Sequence, residues 1–563
     1  MKRELGLLAS LVLFPACRSA AELDGLRSGP RVDHSGALAL IDEAQFVRHV
    51  AVLASDEFEG RAPGTSGEER TVAYLCEQFR ALGLAPGNPD GTFVQDVPLV
   101  GFRAEPKATL WSPAGKRELA FPDDYVAVSR RTQPSIALDD LELVFVGYGV
   151  VAPEFGWDDY KGVDVRGKAL VMLVGDPPVP SASDASKLDD ALFQGRAMTY
   201  YGRWTYKYEI ASEMGAAMAI LVHETGPAGY PYEVVSGSWS RENFDIARSD
   251  GNAQRVAVES WIRDGVARQL FTDCGLDFDG LKARAATRDF RPTPLPGAQL
   301  DVTLKNTLRE VRSRNVIAKL PGRGRADEAV VYTAHWDHLG RDSARAGDQI
   351  FNGALDNATG VAGLLEIAQA FRALEPAPER TLLFLAVTAE EKGLLGSRYY
   401  AEHPLHPLEK TLACINMDGV NVWGRTRDVA SSGYGNSTLH DVLAQALRAQ
   451  GRELVPDDEP EKGSFFRSDH FEFAKRGVPG LHAGSGKDYL DRPAGWGQRM
   501  SDEYVANDYH KPSDELRAEW EVSGALEDLR AFFSVGVELA RTEVWPSWSA
   551  QSEFKAVREA ALR

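Results

Sequence analysis

Three stretches decide the fold of this chain: VVYTA at residues 330–334, GVAGLLEIAQAFRAL at 360–374 and TLLFLAV at 381–387. The first is rich in β-branched residues, which favour strands. The third is a continuous apolar run, which is typical of a strand buried on both faces of a sheet. In the second stretch, apolar residues recur every three or four positions, which predicts a helix with one buried face. Strands that alternate with a helix predict an α/β fold, a mostly parallel (mixed) sheet sandwiched by helices.

The chain before residue 300 divides into two further parts. Residues 68–83 carry helical apolar spacing that ends at a glycine, and we assign 41–104 to the N-terminal part of the same domain. Residues 105–299 instead contain short apolar runs separated by turns, which predict an inserted β-rich domain. We expect the catalytic part at 300–545 and a C-terminal tail at 546–563.

The first 40 residues predict export. Lys2 and Arg3 precede an apolar run at 5–14 that is too short to span a bilayer but suits a signal peptide. We expect a signal peptide at 1–16 and a linker at 17–40. Ala16-Cys17 resembles a bacterial lipobox, in which Cys17 would carry a lipid anchor; a simple secretory signal is the alternative. The expected location is periplasmic, membrane-anchored as a lipoprotein, or secreted.

Composition and charge exclude several classes of protein. Hydrophobic residues make up 44% and charged residues 26% of the 563 residues, as in an ordinary globular protein. The 63 Lys and Arg against 82 Asp and Glu give a net charge of −19, which argues against a nucleic-acid partner because phosphate binding needs clustered cations. The cysteines after Cys17 are too few and too scattered for a disulfide framework.

Acidic residues and histidines follow the predicted strands of the catalytic part. The carboxyl ends of strands are where sites assemble in an open α/β sheet. The clusters are His335-x-Asp337, Asp356-Asn357, Glu390-Glu391 and Asp418, and a fifth, NDYHKPSD at 507–514, lies further along the chain and contains Tyr509-His510. Each cluster alone has an ordinary structural role, such as a helix N-cap or a solvated face. Together, in this order at strand ends, they predict a catalytic site.

Two histidines and three carboxylates from separate loops are what a pair of divalent cations requires. Imidazole nitrogen and carboxylate oxygen suit Zn²⁺, and one carboxylate can bridge two ions. His335-x-Asp337 fits a ligand whose neighbouring carboxylate fixes its tautomer. The pair Glu390-Glu391 supplies one ligand and one free carboxylate, and the free carboxylate can accept a proton from a bound water.

These clusters resemble those of the M28 family of zinc aminopeptidases, whose members use two zinc ions. The resemblance covers roughly residues 41–100 and 300–540, and the motif LASDEFEGR at 53–61 is typical of exported bacterial members. Between these parts, GYG at 147–149, WDDY at 157–160 and VRGK at 165–168 resemble a protease-associated (PA) domain. Such a domain is usually inserted in these peptidases as a lid or as a wall beside the substrate.

The resemblance also implies residue roles. Asp356 would bridge both metals, His335 and Asp418 would complete one metal site, and Glu391 and His510 the other. Glu390 would be the general base, Asp337 would orient His335, and the phenol of Tyr509 would stabilise the oxyanion. The resemblance further implies a cis peptide bond at Asp356-Asn357 and supporting roles for 467–470. The expected cofactors are two Zn²⁺ ions, and the expected substrates are peptides that lose their N-terminal residue.

Two other functions stay open on the sequence alone. A carboxypeptidase or dipeptidase on the same dizinc scaffold would need a cation that holds the substrate carboxylate, and Arg467 is a candidate. A non-catalytic, receptor-like homologue would use the inserted domain for protein contacts. The sequence does not indicate the preferred substrate side chain or the oligomeric state.

Overall fold

The computed structural model describes residues 34–543 and 545–563. The predicted signal peptide and Cys17 lie outside the described residues, as does most of the predicted linker. The helices are α1 (Ser35–Leu38), α2 (Glu43–Leu53), α3 (Ser66–Ala81), α4 (Trp204–Glu213), α5 (Thr225–Ala228), α6 (Tyr232–Trp239), α7 (Asp264–Asp273), α8 (Phe278–Ala285), α9 (Thr359–Arg372), α10 (Leu395–Glu402), α11 (Leu439–Ala449), α12 (His470–Ala474), α13 (Trp496–Asn507), α14 (Ser523–Arg541) and α15 (Lys555–Ala561).

Most strands belong to one large sheet. The strands are β1 (Ala85–Pro86), β2 (Val94–Ser112), β3 (Gly115–Leu119), β4 (Tyr125–Val128), β5 (Ser135–Phe145), β6 (Val151–Ala152), β7 (Trp157–Asp158), β8 (Ala169–Leu173), β9 (Met218–His223), β10 (Asn243–Ile246), β11 (Val258–Arg263), β12 (Thr293–Leu320), β13 (Arg325–His335), β14 (Gly340–Arg341), β15 (Ile350–Phe351), β16 (Arg380–Val387), β17 (Thr411–Asn416), β18 (Asp428–Ser431), β19 (Glu453–Pro456) and β20 (Gly480–Ser485). The pairs β6–β7 and β14–β15 form two separate small sheets.

The catalytic half of the sheet is mixed and mostly parallel, which confirms the predicted fold class. Strand β13 runs parallel to both β16 and β17, and β17 runs parallel to β20, whereas β12 is antiparallel to β16. One face of β13 and β16 packs against α9 and α14 through residues such as Tyr332 and Phe384. The opposite face packs against Tyr400 of α10 and Phe473 of α12. Helices therefore cover both faces, and the predicted strands are buried as their apolar runs require.

Two long strands of the large sheet, paired with each other, join the catalytic half to the middle of the chain. Strands β2 and β12 pair antiparallel from Val94–Val316 to Trp111–Gln299. The predicted domain boundaries, at 104/105 and 299/300, lie inside these two strands. The middle stretch contains the parallel strands β5, β8, β9 and β11 together with helices α4 to α8. Its hydrophobic core also includes residues of the catalytic half and the C-terminal stretch, such as Phe471 and Trp548. Whether this stretch is a PA domain stays a prediction.

The C-terminal stretch packs on the rest of the fold. Trp548 and Phe554 are buried in the same core cluster as Phe465 and Phe471, and Trp548 Nε1 donates to the carbonyl of Gly477 at 2.8 Å. Within residues 34–543 and 545–563, no helix combines the length and the apolar composition needed to cross a bilayer.

The parallel strands bring the candidate residues to one edge of the sheet. His335 is the last residue of β13, Glu390 follows the end of β16, and Asp418 follows the end of β17. Because these neighbouring strands run in the same direction, their carboxyl ends meet.

Candidate metal centre

Asp356 reaches the site on an irregular helical turn that precedes α9. This turn covers Ala354–Ala358, and the peptide bond between Asp356 and Asn357 is cis, as the resemblance implies. The buried side chain of Asn357 ties the surrounding loops together. Its amide nitrogen donates to the carbonyls of His335 at 3.3 Å and Met417 at 3.1 Å, and its oxygen accepts from the N–H groups of Gly360 and Gly419, both at 3.0 Å.

The five predicted ligands form two clusters that share Asp356. On one side, His335 Nε2 lies 3.3 Å from Asp356 Oδ1 and 3.2 Å from Asp418 Oδ1. On the other side, His510 Nε2 lies 3.2 Å from Asp356 Oδ2 and 3.1 Å from Glu391 Oε2. Each oxygen of Asp356 therefore faces one histidine and one further carboxylate. This is the arrangement expected of a bridging carboxylate between two cations.

The residues fit a pair of zinc ions in chemistry and spacing. Bonds of about 2.0–2.1 Å in a tetrahedral zinc site place ligand atoms about 3.3 Å apart, and the four separations above are 3.1–3.3 Å. Beside the second cluster, the buried Nε2 of His338 has no hydrogen-bond partner among the described residues. Buried polar atoms are normally paired, so an unpaired ring nitrogen here indicates that a cation belongs to this site.

The clustered charges perturb one another strongly. Burial alone would lower the pKa of His510, but Glu391 and Asp356 raise it to about 10. Burial would also lower the pKa of His335, but Asp418, Glu390 and Asp356 raise it well above its ordinary value. Burial would raise the pKa of Asp356, yet the neighbouring histidines hold it well below the usual range. The carboxylate of Asp356 therefore stays charged, as a metal ligand must.

The second glutamate of the Glu390-Glu391 pair joins a ligand cluster, and the first does not. Glu390 lines the pocket beside Asp356 and Asp418. Burial raises the pKa of Glu390 well above its ordinary value, and Asp418 and Glu391 add to the effect. A raised pKa suits a group that must accept a proton and later return it.

Asp337 has different contacts from those that the sequence predicts. Its main-chain carbonyl, and not its carboxylate, lies nearest to His335, at 3.1 Å from Nδ1; its Oδ1 is 3.8 Å away. Oδ1 instead accepts a hydrogen bond from the N–H group of Glu390 at 3.0 Å. Asp337 thus contacts His335 through its main-chain carbonyl. Its carboxylate holds the main chain of Glu390 in place.

Tyr509 lies at the mouth of the site. Its ring stacks on the imidazole of His510, with 3.9 Å between the ring centroids, and 43% of the residue is exposed. It lines a pocket of about 330 Å³ together with Asp356, Glu390, Asp418 and Arg467. The phenol is therefore within the space that a substrate at this edge of the sheet would occupy.

Residues outside the predicted ligand set hold the ligands in position. Ser468 donates to Asp418 Oδ2 at 2.5 Å and accepts from Asn416 Nδ2 at 2.7 Å. Asp514 accepts from the N–H groups of Leu355 and Asp356, at 2.9 and 3.1 Å. The segment that contains Ser468 was expected to support the site, whereas Asp514 ends the fifth predicted cluster without a role assigned to it from the sequence.

Sequence reasoning gave His338 no role, yet it is buried within the site. Its Nδ1 lies 2.7 Å from Glu391 Oε1, and its ring centroid is 5.7 Å from that of His510. A ligand atom of His338 lies within 4.8 Å of those of Asp356 and Glu391, so His338 is a second candidate histidine for that cluster. The available signal was its place in the run His335-Trp336-Asp337-His338, directly after a buried strand.

The chain is similar to several known proteins that are described as peptidases. The chain is 24% identical over 383 residues to a Caenorhabditis elegans protein described as a glutamate carboxypeptidase 2 homolog, covering 62% of this chain and 46% of that protein. It is 33% identical over 235 residues to a probable zinc metalloprotease of Pyricularia oryzae, covering 39% of this chain and 43% of that protein. The chain thus spans less than half the length of these curated relatives.

A solved structure and a family profile complete the comparison. The aminopeptidase from Aneurinibacillus sp. strain AM-1 aligns with a TM-score of 0.49 and 19% identity, over 90% of this chain and 96% of that chain. The profile of Peptidase family M28 matches residues 315–533, the stretch that carries all five predicted ligands. The chain therefore carries a domain of peptidase family M28 at residues 315–533.

Proposed function

We propose that this chain is an exported dizinc metallo-aminopeptidase, which removes N-terminal residues from peptides. The observation that carries the proposal is the pair of ligand clusters that share Asp356, with the unliganded carboxylate of Glu390 beside them. The M28 domain supports a peptidase, and the relative described as a zinc metalloprotease supports zinc as the metal.

In this proposal His335, Asp356 and Asp418 hold one zinc ion, and Asp356, Glu391 and His510 hold the other. When bound, the zinc ions supply Lewis-acid activation of the attacking water and of the scissile carbonyl. We assign His510 rather than His338 because His510 Nε2 lies at ligand spacing from both Asp356 and Glu391.

The side chains of this chain then move the protons and bind the developing charge. Glu390 accepts a proton from the attacking water and later donates it to the leaving amine, and its raised pKa suits both steps. Tyr509 donates a hydrogen bond to the oxyanion of the tetrahedral intermediate from its place at the pocket mouth. Asp337 keeps the main chain of Glu390 in position through the bond to its N–H group.

The charge of the pocket favours a substrate with a free α-amine. Three carboxylates line the pocket (Asp356, Glu390 and Asp418), and a protonated or metal-facing amine complements them. This supports exopeptidase action at the N-terminus.

The second candidate function is that of a carboxypeptidase or dipeptidase on the same scaffold. It is favoured by Arg467, which lines the same pocket and could hold a substrate carboxylate, and by the relative described as a glutamate carboxypeptidase 2 homolog. Hydrolysis of an aminoacyl-p-nitroanilide but not of an N-blocked peptide supports the aminopeptidase. The reverse preference supports the carboxypeptidase, and cleavage only of free dipeptides supports the dipeptidase.

Metal analysis tests the proposal against a non-catalytic, receptor-like homologue. We expect purified protein to hold about two zinc ions per chain, to lose peptidase activity on chelation and to regain it when zinc is restored. A chain that folds but binds no zinc and hydrolyses no peptide would be a non-catalytic homologue. Export is tested separately, by the cell fraction in which the full chain and the Cys17→Ser variant are found.

A further inference from the structure

Arg61 is buried beneath the metal centre, in the N-terminal part of the chain and outside the stretch that matches the M28 profile. The residue is 1% exposed. Among the described residues, the four hydrogen bonds of its guanidinium all go to main-chain carbonyls and none to a carboxylate. Nε donates to Trp336 at 2.9 Å, Nη1 to Leu53 and Asn352 at 2.6 Å each, and Nη2 to Gly353 at 2.8 Å.

Three of these carbonyls belong to the two loops that carry His335 and Asp356, and the fourth, of Leu53, is at the end of α2. Trp336 directly follows the ligand His335, and Asn352-Gly353 directly precedes the turn that presents Asp356. The main chain of Arg61 adds a further link, because its carbonyl accepts from the N–H group of His338 at 3.4 Å. One residue of the N-terminal part therefore contacts both loops at once.

The backbone around Arg61 is shaped for this contact. Glu59, Gly60 and Arg61 all have positive φ angles, of 48°, 66° and 52°. A Cβ at Gly60 would lie 2.5 Å from the carbonyl oxygens of both Gly340 and Phe351, so only glycine fits there. Left-handed conformations are costly for side chains other than glycine, and they persist where surrounding contacts hold them. The four hydrogen bonds of the guanidinium are such contacts.

The charge of Arg61 also matches its surroundings. Burial lowers its pKa to about 10, while Asp514, Asp356, Asp337 and Glu391 act to raise it. Arg61 is thus a fixed cation behind a cluster of carboxylates, although it makes no direct hydrogen bond to them.

We propose that Arg61 is a positioning residue of the metal centre: its guanidinium binds four main-chain carbonyls and so holds the His335 loop and the Asp356 turn at the separation that the two metal sites require. Lysine cannot replace it, because a single ammonium nitrogen cannot reach carbonyls on three sides as the planar guanidinium does. The inference rests on the proposed function, since it assumes that these loops bind zinc.

The test compares Arg61→Lys with a matched control, Arg558→Lys. Arg558 is also a buried arginine that donates to main-chain carbonyls, of Leu408 at 3.1 Å and Thr411 at 2.7 Å, but at the opposite end of β17 from Asp418. For each purified full-length variant we would measure Zn²⁺ affinity by competition with a chelator, the visible spectrum of the Co²⁺-substituted protein, kcat and KM, and the Tm of the metal-free protein.

For Arg61→Lys we expect zinc affinity to fall about 10- to 100-fold, as for other residues that position metal ligands. We also expect an altered Co²⁺ spectrum and a lower kcat with KM changed less than about threefold. Arg558→Lys is expected to lower the Tm while its zinc affinity and Co²⁺ spectrum stay at the wild-type values. Millimolar guanidinium should restore part of the zinc affinity of Arg61→Ala.

The remaining outcomes overturn one claim or both. Wild-type zinc affinity and kcat in Arg61→Lys would overturn the inference while leaving the proposed function intact. Equal losses in Arg61→Lys and Arg558→Lys, or failure of both Arg61 variants to fold, would show that Arg61 supports the whole fold and not the site. A folded wild-type chain that binds no zinc would overturn the proposed function, and the inference with it.

Discussion

At the scale of single residues, the site depends on how two neighbouring glutamates divide two roles. Glu391 lies 3.1 Å from His510 and belongs to a ligand cluster, whereas Glu390 faces the pocket with its main chain fixed by Asp337. Both carboxylates follow the same strand, so their different surroundings, and not their chemistry, separate a ligand from a base. Substituting each glutamate in turn should therefore separate loss of the base from loss of a ligand.

Glu390→Gln should keep both zinc ions and lose most turnover, because the amide cannot accept a proton from water. Loss of a general base lowers kcat by about 10²- to 10⁴-fold. The matched variant Glu391→Gln should instead lose zinc from one site, since a neutral amide is a poorer ligand than a carboxylate. Zinc content and kcat, measured on both variants, check the prediction. A Glu390→Gln enzyme with near wild-type kcat would remove Glu390 from the role of base.

The two histidines beside Glu391 can be separated in the same way. His510→Ala should bind about one zinc ion per chain, because it removes the imidazole whose Nε2 lies 3.2 Å from Asp356 and 3.1 Å from Glu391. His338→Ala should keep two zinc ions per chain but bind them with lower affinity. Zinc stoichiometry by elemental analysis checks both. Two zinc ions in His510→Ala and one in His338→Ala would make His338 the ligand.

The sequence located the candidate ligands and the segment 467–470 beside them, whereas the other supporting contacts are visible only in the folded chain. His335, Asp356, Glu391 and Asp418 stand directly after strands or before a helix, so local patterning located them, and the structure brings them together with His510. Asp514 acts on main-chain N–H groups of another loop, and such contacts depend on the path of both loops, which no local pattern encodes.

At the scale of secondary-structure elements, the sequence likewise predicted the elements that have a local apolar pattern but not the long-range pairing of strands. The predicted strands 330–334 and 381–387 correspond to the cores of β13 and β16, and the predicted helix corresponds to α9, because each buries an apolar run of the right period. Strands β2 and β12 were not predicted at their full length. Both alternate exposed and buried residues over long stretches, and their partners are far apart in sequence.

The helix α11 leads to a prediction about pH. His440 at its start is buried, with Nδ1 3.2 Å from the carbonyl of Ser437 and Nε2 3.0 Å from Ser431 Oγ. Burial lowers the pKa of His440 to about 4. A histidine whose folded pKa lies below its unfolded value of about 6.5 stabilises the fold at neutral pH and loses that contribution as the pH falls towards the folded pKa.

Between pH 7 and pH 5, His440 should therefore account for a loss of about 2 kcal/mol in the free energy of unfolding. Urea unfolding of the metal-free protein at both pH values, compared with His440→Gln, measures this loss. The variant should be less stable at pH 7 but should lose about 2 kcal/mol less than wild type on acidification. An equal pH dependence of both proteins would show that His440 does not titrate below its usual pKa.

At the scale of the whole molecule, a buried ionic cluster joins the middle stretch of the chain to the catalytic half. Asp245 of β10 is fully buried and forms ion pairs with Arg255 at 3.3 Å, with Arg130 at 3.6 Å and with Arg398 of α10. Tyr200 also packs against Phe471, with 4.9 Å between ring centroids, beside the segment that carries Arg467 and Ser468. The middle stretch thus supports one wall of the pocket.

Asp245→Asn should destabilise the protein strongly, because it removes the ion-pair partner of the buried Arg398 and leaves Arg130 and Arg255 with Glu259 as their one remaining paired carboxylate. Breaking one partner of a buried ion pair costs about 3–5 kcal/mol.

Asp327→Asn is the matched control, since Asp327 pairs with Lys410 at 3.3 Å on the exposed surface, where such pairs contribute about 0–1 kcal/mol. Urea unfolding measures both variants, and limited proteolysis of Asp245→Asn should cut between the middle stretch and the catalytic half. Because the middle stretch supports the pocket wall beside Arg467, KM should rise in Asp245→Asn while zinc content stays at two per chain. A change in unfolding free energy no larger than that of Asp327→Asn would mean that apolar packing, and not this ionic cluster, holds the two parts together.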